Sequence, residues 1–254
     1  MSLSCGGPGD CSAGGYYTDG NSSQQAFVVN QNDGTWGTAD EVPGTATLNT
    51  GGDARLDSVS CSSAGNCGAS GSYTSSSGSE GFVVAQTNGT CGTAQSVPQV
   101  NGIGALSCTS AGNCSAGASY EGAIGESDAY QAFVVTETDG TWGTPKELPG
   151  IAALASGGDS FVAALSCSTA GDRSVGGDYT TNGISGGMQA YVANEVNGTW
   201  RDVEDVPGTS QGTASEGGGS SIASMSCVSG ARCVADGSNP DSTGAEQTFV
   251  VNRT

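Results

Sequence analysis

The chain has 254 residues, 44 of them glycine, and only 12% are charged. Its 25 acidic residues against 6 basic ones give a net charge of -19, which excludes nucleic acid as a partner because phosphate binding depends on lysine and arginine. The negative charge leaves cations, neutral sugars and basic partners as possible ligands. No apolar run is long enough to span a membrane.

An internal repeat organises the chain into five units. The leading cysteines of the units lie 56, 47, 59 and 60 residues apart, at Cys5, Cys61, Cys108, Cys167 and Cys227. A period of about 40 to 60 residues is typical of solenoids, propellers and arrays. Because one repeat cannot bury its apolar face alone, we expect a single domain over residues 1–254, with units near 1–57, 58–105, 106–164, 165–224 and 225–254.

Four of the units carry a pair of cysteines with five residues between them: Cys5 and Cys11, Cys61 and Cys67, Cys108 and Cys114, Cys227 and Cys233. The chain has no histidine and the spacing does not suit zinc, so the pairs predict four disulfides. Cys167 faces Arg173 and Cys91 stands where other units have tryptophan, which predicts two thiols. Disulfides indicate an oxidising setting, and hence a secreted or extracellular protein.

Each unit reads as four strands joined by turns. Strand one ends at the first cysteine, as in residues 57–61, where apolar and small residues alternate. Strand two begins at the second cysteine, so the disulfide joins the two arms of a hairpin. Strand three, residues 25–30 in the first unit, contains Ala-Phe-Val-Val without a polar face and should be buried on both sides.

The end of strand three carries the strongest turn signal in the chain. Asp-Gly or Asn-Gly follows the apolar run in four units, at residues 33–34, 88–89, 139–140 and 197–198. Such a pair between apolar segments predicts a type I′ hairpin turn. Strand four should then run through Thr-Trp-Gly to Val-Pro or Leu-Pro, with the proline at an outer edge. The tryptophans of this strand, Trp36, Trp142 and Trp200, should pack between neighbouring units.

Four antiparallel strands at this period predict an all-β fold, a five-bladed β-propeller of four-stranded antiparallel blades whose last blade is incomplete. The diglycine and tyrosine of residues 14–16, the apolar strand, the Asp-Gly-Thr-Trp of residues 33–36 and the Val-Pro exit resemble a kelch-type blade. The diglycine recurs only in the fourth unit, and the hairpin cysteines depart from the kelch pattern. The resemblance implies a fold and no particular function.

In a propeller, the turns between strands one and two and between three and four lie at one end of each blade, which we call the turn end. The remaining loops lie at the opposite end, the loop end, and they are longer and more variable here. Variable loops on a rigid scaffold are where binding usually resides. The candidate binding residues at the loop end, with tyrosines expected to be semi-exposed, are Tyr17, Asp19, Tyr73, Tyr120, Glu126, Asp128 and Tyr179.

Asp53 and Asp159 each follow Gly-Gly just before strand one, the innermost strand of a blade. Their carboxylates should converge on the central channel, and a hard cation such as calcium would relieve their repulsion. We therefore place a candidate calcium site there.

Serine catalysis lacks a base, because the chain has no histidine and no suitable lysine motif. Carboxylates close in sequence, Glu126 with Asp128 and Asp202 with Glu204 and Asp205, keep glycosidase chemistry open. The sequence favours a non-catalytic extracellular binding module, lectin-like, with a glycan as ligand. The alternatives are a carbohydrate-active enzyme, a glycoside hydrolase or lyase, and an adhesive module that binds an extracellular protein.

Overall fold

The structure is a computed structural model that describes residues 1–97, 100–121, 129–156, 158–180, 187–209, 219–228, 232–241 and 243–253. The described residues form five antiparallel sheets, one for each repeat, which confirms the all-β fold. The chain divides into two compact units, Met1–Ala116 with Val135–Pro145, and Gly117–Val134 with Lys146–Thr254. Within the described ranges, neither helix has the length and apolar character needed to cross a bilayer.

Each of the first four sheets has three long strands and two short ones, and both short strands pair with the third long strand. Sheet 1 contains β1 (Ser2–Gly7), β2 (Asp10–Thr18), β3 (Gln24–Asn32), β4 (Thr35–Trp36) and β5 (Asp40–Glu41). Sheet 2 contains β6 (Ala54–Ser63), β7 (Asn66–Ser75), β8 (Gly78–Thr87), β9 (Thr90–Cys91) and β10 (Gln95–Val97). A short helix, α1 (Thr45–Leu48), connects the two sheets.

The remaining sheets repeat this order until the last. Sheet 3 contains β11 (Ala105–Ser110), β12 (Asn113–Glu121), β13 (Tyr130–Thr138), β14 (Thr141–Trp142) and β15 (Lys146–Glu147), and α2 (Ile151–Ala155) follows it. Sheet 4 contains β16 (Ser160–Thr169), β17 (Asp172–Tyr179), β18 (Gln189–Val196), β19 (Thr199–Trp200) and β20 (Glu204–Asp205). Sheet 5 has three strands, β21 (Ser221–Val228), β22 (Arg232–Pro240) and β23 (Glu246–Arg253).

The hairpin turns at the turn end have the predicted type I′ geometry. Asp33 and Gly34 have φ values of 48° and 81°, and the Asn-Gly and Asp-Gly pairs of the next three units match them closely. Gly34 N also donates to Gly9 O at 2.8 Å, so the two turns of one sheet bind each other. A Cβ on Gly9 would lie 2.8 Å from Gly34 N, which explains the glycine. Sheets 2, 3 and 4 repeat the bond.

The fourth strand differs from the expected continuous strand. Residues 37–39 interrupt it, leaving the two short strands β4 and β5. Beyond β5, Val42 N still donates to Ala26 O at 2.9 Å, but Gly44 has a φ of 90° and directs the chain into α1. Thr45 closes this turn by donating its hydroxyl to Val42 O at 2.7 Å. The sequence reading missed both short helices because it took the proline only as the mark of a strand edge.

Small side chains on strand two allow the next sheet to pack closely. A Cβ on Gly14 would lie 2.8 Å from both δ-carbons of Leu56, and one on Gly176 would lie 2.9 Å from Ile222. The first strands are also linked, since the N–H groups of Cys61, Cys108 and Cys227 donate to Ser4, Ser60 and Ser166 Oγ at 2.9 to 3.0 Å. The glycines of strand two and the serines of strand one are therefore packing residues.

The apolar third strands are buried as predicted only in the middle of the chain. Phe82, Val83 and Val84 in β8, and the matching residues of β13, are almost completely buried. In sheet 1, Val28 is only half-buried, and in sheet 5 Val250 is 66% exposed. The expectation of burial on both sides is therefore wrong for these two sheets, because it requires a covering sheet on each face.

Candidate functional site

Four disulfides join the hairpin arms as predicted: Cys5 to Cys11, Cys61 to Cys67, Cys108 to Cys114 and Cys227 to Cys233. Cys91 and Cys167 lie outside them. Opposite Cys167, Arg173 replaces the second cysteine and forms a buried ion pair with Glu195. Burial raises the pKa of Glu195, while the charge of Arg173 opposes that shift. Cys167 and Arg173 therefore take the place of a hairpin disulfide, and the ion pair of Arg173 joins the second strand of sheet 4 to the third.

Two of the candidate tyrosines at the loop end are buried, which corrects the expectation of semi-exposed rings. Tyr73 is 3% exposed and Tyr179 is 2% exposed. Tyr73 packs in an apolar cluster and donates its hydroxyl to Glu80 Oε2 at 2.6 Å. Tyr179 donates to Asp205 Oδ1, also at 2.6 Å, and burial is the main cause that raises its pKa. Both hydroxyls therefore join strand two to neighbouring strands.

The other two tyrosines are more accessible. Tyr17 is 41% exposed, and its hydroxyl donates to Glu41 Oε2 over a longer distance of 3.3 Å. The preceding residue, Tyr16, is 50% exposed. Tyr120 lies with its ring centroid 5.8 Å from that of Phe133. Tyr17 is thus the candidate tyrosine with the most accessible ring.

Asp19 shapes the loop between strands two and three. Its Oδ1 accepts from the N–H groups of Asn21 and Ser23 at 2.8 and 3.0 Å, and its Oδ2 accepts from Gln25 Nε2 at 3.1 Å. The bond from Gln25 is the main cause that lowers the pKa of Asp19. Asp241 makes the same set of bonds in sheet 5. The shared spacing of aspartate and glutamine was a signal that sequence reasoning missed.

The two aspartates of the candidate calcium site make different contacts. Asp53 is exposed, and its main-chain oxygen accepts from Thr74 N at 2.8 Å. Asp159 Oδ1 accepts from Tyr130 N at 2.9 Å, so this carboxylate already binds a backbone donor. They belong to different compact units. No cluster of three metal-ligating side chains occurs in the part of the chain that the structure describes.

Glu126 and Asp128, the remaining candidates, lie outside the described residues. Their role in ligand binding stays a prediction.

Asp178 is a buried carboxyl group that sequence reasoning missed. It is the penultimate residue of β17, at the loop end of sheet 4, and it is 7% exposed. Its cross-strand partners are Phe161 and Ala190. Burial raises the pKa of Asp178 to about 6. A carboxyl group with this pKa can give up and take back a proton near neutral pH, as general acid–base catalysis requires.

The charge of Asp178 also affects the pKa of a nearby residue, Tyr191. Tyr191 is completely buried and donates its hydroxyl to Phe161 O at 2.9 Å. Its pKa is raised mainly by burial and then by the charge of Asp178. The equivalent residues of the other sheets are Tyr16, Ser72, Ser119 and Ser238. The only carboxylate in this set is Asp178, a signal that aligning the units would have found.

No protein-family model matches the chain, kelch-type repeats included, and the comparison with curated proteins finds no match. Among solved structures, a Hadza microbial sialidase is similar, with a TM-score of 0.56 and 11% identity over 98% of this chain and 55% of the sialidase. A neuraminidase-like protein of subtype N11, from an H18N11 flat-faced bat isolate, gives 0.46 and 12% identity over 99% of this chain and 70% of that one.

A leech intramolecular trans-sialidase gives a TM-score of 0.45 and 13% identity over 92% of this chain and 36% of the leech protein. At these identities the likeness concerns the fold alone. The chain spans about half the length of the Hadza sialidase. Its antiparallel sheets are therefore of the β-propeller kind found in that sialidase.

Proposed function

We propose that this chain is an extracellular, carbohydrate-active β-propeller protein, with its five units as five blades and a glycan site at the loop end. The four disulfides support the extracellular setting. The fold likeness to a sialidase favours a glycoside hydrolase over the non-catalytic, lectin-like module that the sequence favours.

The buried carboxyl group of Asp178, with its raised pKa, is the observation that supports the enzymatic proposal. Glycoside hydrolysis uses a carboxylic acid to protonate the leaving oxygen, and this acid has a raised pKa. The carboxyl of Asp178, with a pKa raised to about 6 by burial, meets that requirement. Its position next to the last residue of β17 places it at the loop end. Asp178 would serve as the proton donor.

The charge of the protein favours a neutral glycan as the substrate. An anionic sugar needs arginine or lysine to bind its charge. The chain has only 6 such residues, and Arg55 and Arg173 already pair with Asp57 and Glu195. A net charge of -19 also repels anions.

Hydrolysis assays on a panel of neutral aryl glycosides and polysaccharides test this proposal. Asp178→Asn should lower kcat by about a hundredfold or more and remove the decline in rate as pH rises through about 6. Asp236→Asn, at an exposed position of the same compact unit, is the matched control and should keep full activity. Hydrolysis of no substrate, or unchanged rates in Asp178→Asn, would contradict the enzymatic proposal.

The exposed rings of Tyr16 and Tyr17 support a second candidate, glycan binding without catalysis. Aromatic faces pack against the apolar faces of sugar rings, and these two side chains are 50% and 41% exposed. A glycan array probed with and without calcium would find the ligand. Tyr17→Ala should weaken binding, whereas Tyr73→Phe, which changes only a buried hydroxyl, should not.

A further inference from the structure

A row of cross-strand partners in sheet 2 ends in a thiol. The row runs across β6, β7, β8 and β9 through Cys61, Cys67, Gln86 and Cys91. Paired residues project to the same face of a sheet, so the Cys61–Cys67 disulfide and the Cys91 thiol lie on one face with Gln86 between them. Three other units have tryptophan at the position of Cys91, so sheet 2 carries a thiol where they carry an indole ring.

Cys91 lies at a narrow cleft between sheets 1 and 2 that is partly open to solvent, and we call it the Cys91 cleft. All the residues that line it belong to one compact unit. Its walls include, from sheet 1, Ser12 and Val28, and from sheet 2, Leu56, Val59, Val84 and Gln86. A thiol, a hydroxyl and a side-chain amide therefore meet in a mostly apolar cleft.

The amide of Gln86 is only half satisfied, although Gln86 is 7% exposed. Its Oε1 accepts from Ser12 Oγ at 3.2 Å, but its Nε2 has no hydrogen-bond partner within the described residues. In sheet 1 the equivalent donor, Gln31 Nε2, bonds to Gly34 O at 3.1 Å. A buried donor without an acceptor costs free energy. An acceptor that entered the cleft would therefore gain a hydrogen bond that the chain itself does not supply.

The Cys91 thiol is partly exposed and lies outside the four disulfides. A leftover cysteine in an oxidising setting pairs readily with another thiol. The nearby disulfide is out of reach, because Cys91 lies two strands from Cys67 and strands are about 4.8 Å apart. The resulting Cα separation of about 10 Å exceeds the limit of about 7 Å for a disulfide. The partner that the cleft admits is a small thiol from solution.

Size and charge restrict which thiol suits the Cys91 cleft. The cleft is narrow, so it favours a compact molecule over a second protein chain. A carboxylate would accept a charge-assisted hydrogen bond from Gln86 Nε2. The net charge of -19 disfavours an anion, so an ammonium group on the same molecule should balance that carboxylate. An amino acid with a thiol side chain, such as cysteine, has all three groups.

We propose that Cys91 is a modification site that forms a mixed disulfide with a small aminothiol acid such as cysteine, whose carboxylate accepts a hydrogen bond from Gln86 Nε2. The Cys91 thiolate attacks one sulfur of the symmetrical disulfide, cystine. The new S–S bond joins Cys91 to one half of cystine, and the other half leaves as a thiolate that takes up the proton that Cys91 released. This inference rests on the extracellular setting of the proposed function, which supplies small disulfides, and not on catalysis.

Exchange of the full chain with cystine tests this proposal. The reaction is run at mildly alkaline pH, because burial raises the pKa of the Cys91 thiol and only the thiolate reacts. Mass spectrometry with non-reducing peptide mapping should find one cysteinyl group on Cys91. Cystamine, whose adduct lacks the carboxylate, is the matched probe. The ratio of cysteine to cysteamine adducts at Cys91 should be about tenfold higher in the folded protein than in urea, where the bond to Gln86 is lost.

Gln86→Leu keeps the size of the side chain and removes the donor. It should lower the equilibrium constant for the cysteine adduct about tenfold and leave that for the cysteamine adduct unchanged, provided that its circular dichroism matches the parent protein. The comparison with urea keeps the test valid if this variant fails to fold, and Cys91→Ala is the control for the site of the adduct. No adduct at Cys91, a disulfide-linked dimer in its place, or an adduct ratio that neither urea nor Gln86→Leu changes would overturn the proposal.

Discussion

Glu137 is buried to 2% exposure, and neither of its carboxylate oxygens has a hydrogen-bond partner in the described part of the chain. Burial raises the pKa of this carboxyl above its usual 4.5. Glu137 pairs with Trp142 just as Gln31 pairs with Trp36, so a neutral amide occupies the same position in sheet 1. The charge of Glu137 therefore lowers the stability of the folded protein, and the repeat can form with an uncharged residue at this position.

Glu137→Gln should raise stability at neutral pH by about 1 kcal/mol or more, because the buried carboxylate is removed. Because the pKa of Glu137 is higher in the folded protein than in the unfolded chain, the wild-type protein is most stable below pH 4.5. Its stability falls as pH rises through the folded-state pKa of Glu137. The gain should therefore vanish in acid. Denaturant unfolding of both proteins across this pH range measures it.

The reverse change, Gln86→Glu, is the matched control for Glu137→Gln. Gln86 occupies the equivalent position in sheet 2, opposite Cys91, and is 7% exposed. Gln86→Glu should destabilise the protein at neutral pH and much less in acid. A loss that is equal at all pH values would mean that shape rather than charge sets the effect.

Cys91 replaces the tryptophan of three other units and lies at a narrow cleft, partly open to solvent, that Leu56, Val59 and Val84 also line. Cys91→Trp should cover the mouth of this cleft and stabilise the fold by about 1 kcal/mol. Thermal melts measure the effect, and Cys91→Ala is the control for loss of the thiol alone. A lower melting temperature for Cys91→Trp than for Cys91→Ala would show that the cleft cannot accept the ring.

At the scale of the element, the hairpin of β16 and β17 has an arginine in place of the second cysteine, and this arginine forms an ion pair with β18. Cys167 and Arg173 are direct cross-strand partners, as Cys5 and Cys11 are in sheet 1. Arg173 also partners Glu195 on the next strand, so the guanidinium and the carboxylate depend on each other. Removing only one of them would leave a buried charge.

The double variant Arg173→Cys with Glu195→Gln should form a fifth hairpin disulfide and stabilise the protein by about 2 kcal/mol on the loop-entropy estimate. Thiol titration under denaturing, non-reducing conditions should fall from two thiols per chain to one, since Cys91 and Cys167 lie outside the native disulfides. Arg173→Cys alone should gain less. Two or more titratable thiols in the oxidised double variant would rule the bond out.

Structural features that depend only on residues close together in the sequence were predictable. The type I′ turns and the hairpin disulfides need only local chemistry, and both are present. The burial of Tyr73 depends on packing with Ala26 and Val42 from another sheet, which a single unit does not reveal. The short helices were missed because Gly44, with its positive φ, redirects the chain after Pro43.

The candidate site was less predictable than the fold for the same reason. The sequence predicts Asp19 as a binding residue, yet its carboxylate is occupied by three local donors. Asp178 belongs to no recognisable sequence motif. Its raised pKa comes from burial between packed strands. Tertiary packing, rather than residue type, decides which carboxyl groups have unusual acidity.

At the scale of the whole molecule, 25 acidic residues against 6 basic ones give a net charge of -19, so the acidic groups repel one another. Raising sodium chloride from about 10 mM to about 150 mM should raise the melting temperature by a few degrees, because screening weakens their repulsion. Calcium chloride at equal ionic strength is the control. A larger rise with calcium that Asp53→Asn or Asp159→Asn abolishes would support the candidate calcium site.

The short spacing within each disulfide has a consequence for the biogenesis of the protein. Each bond joins cysteines only six positions apart, so both partners leave the ribosome or translocation channel almost together. The eight bonded cysteines alone permit 105 sets of pairings. Each of these cysteines nevertheless has its native partner as the nearest cysteine in the sequence. Oxidation can thus keep pace with synthesis, hairpin by hairpin, with little need for an isomerase to correct mispaired intermediates.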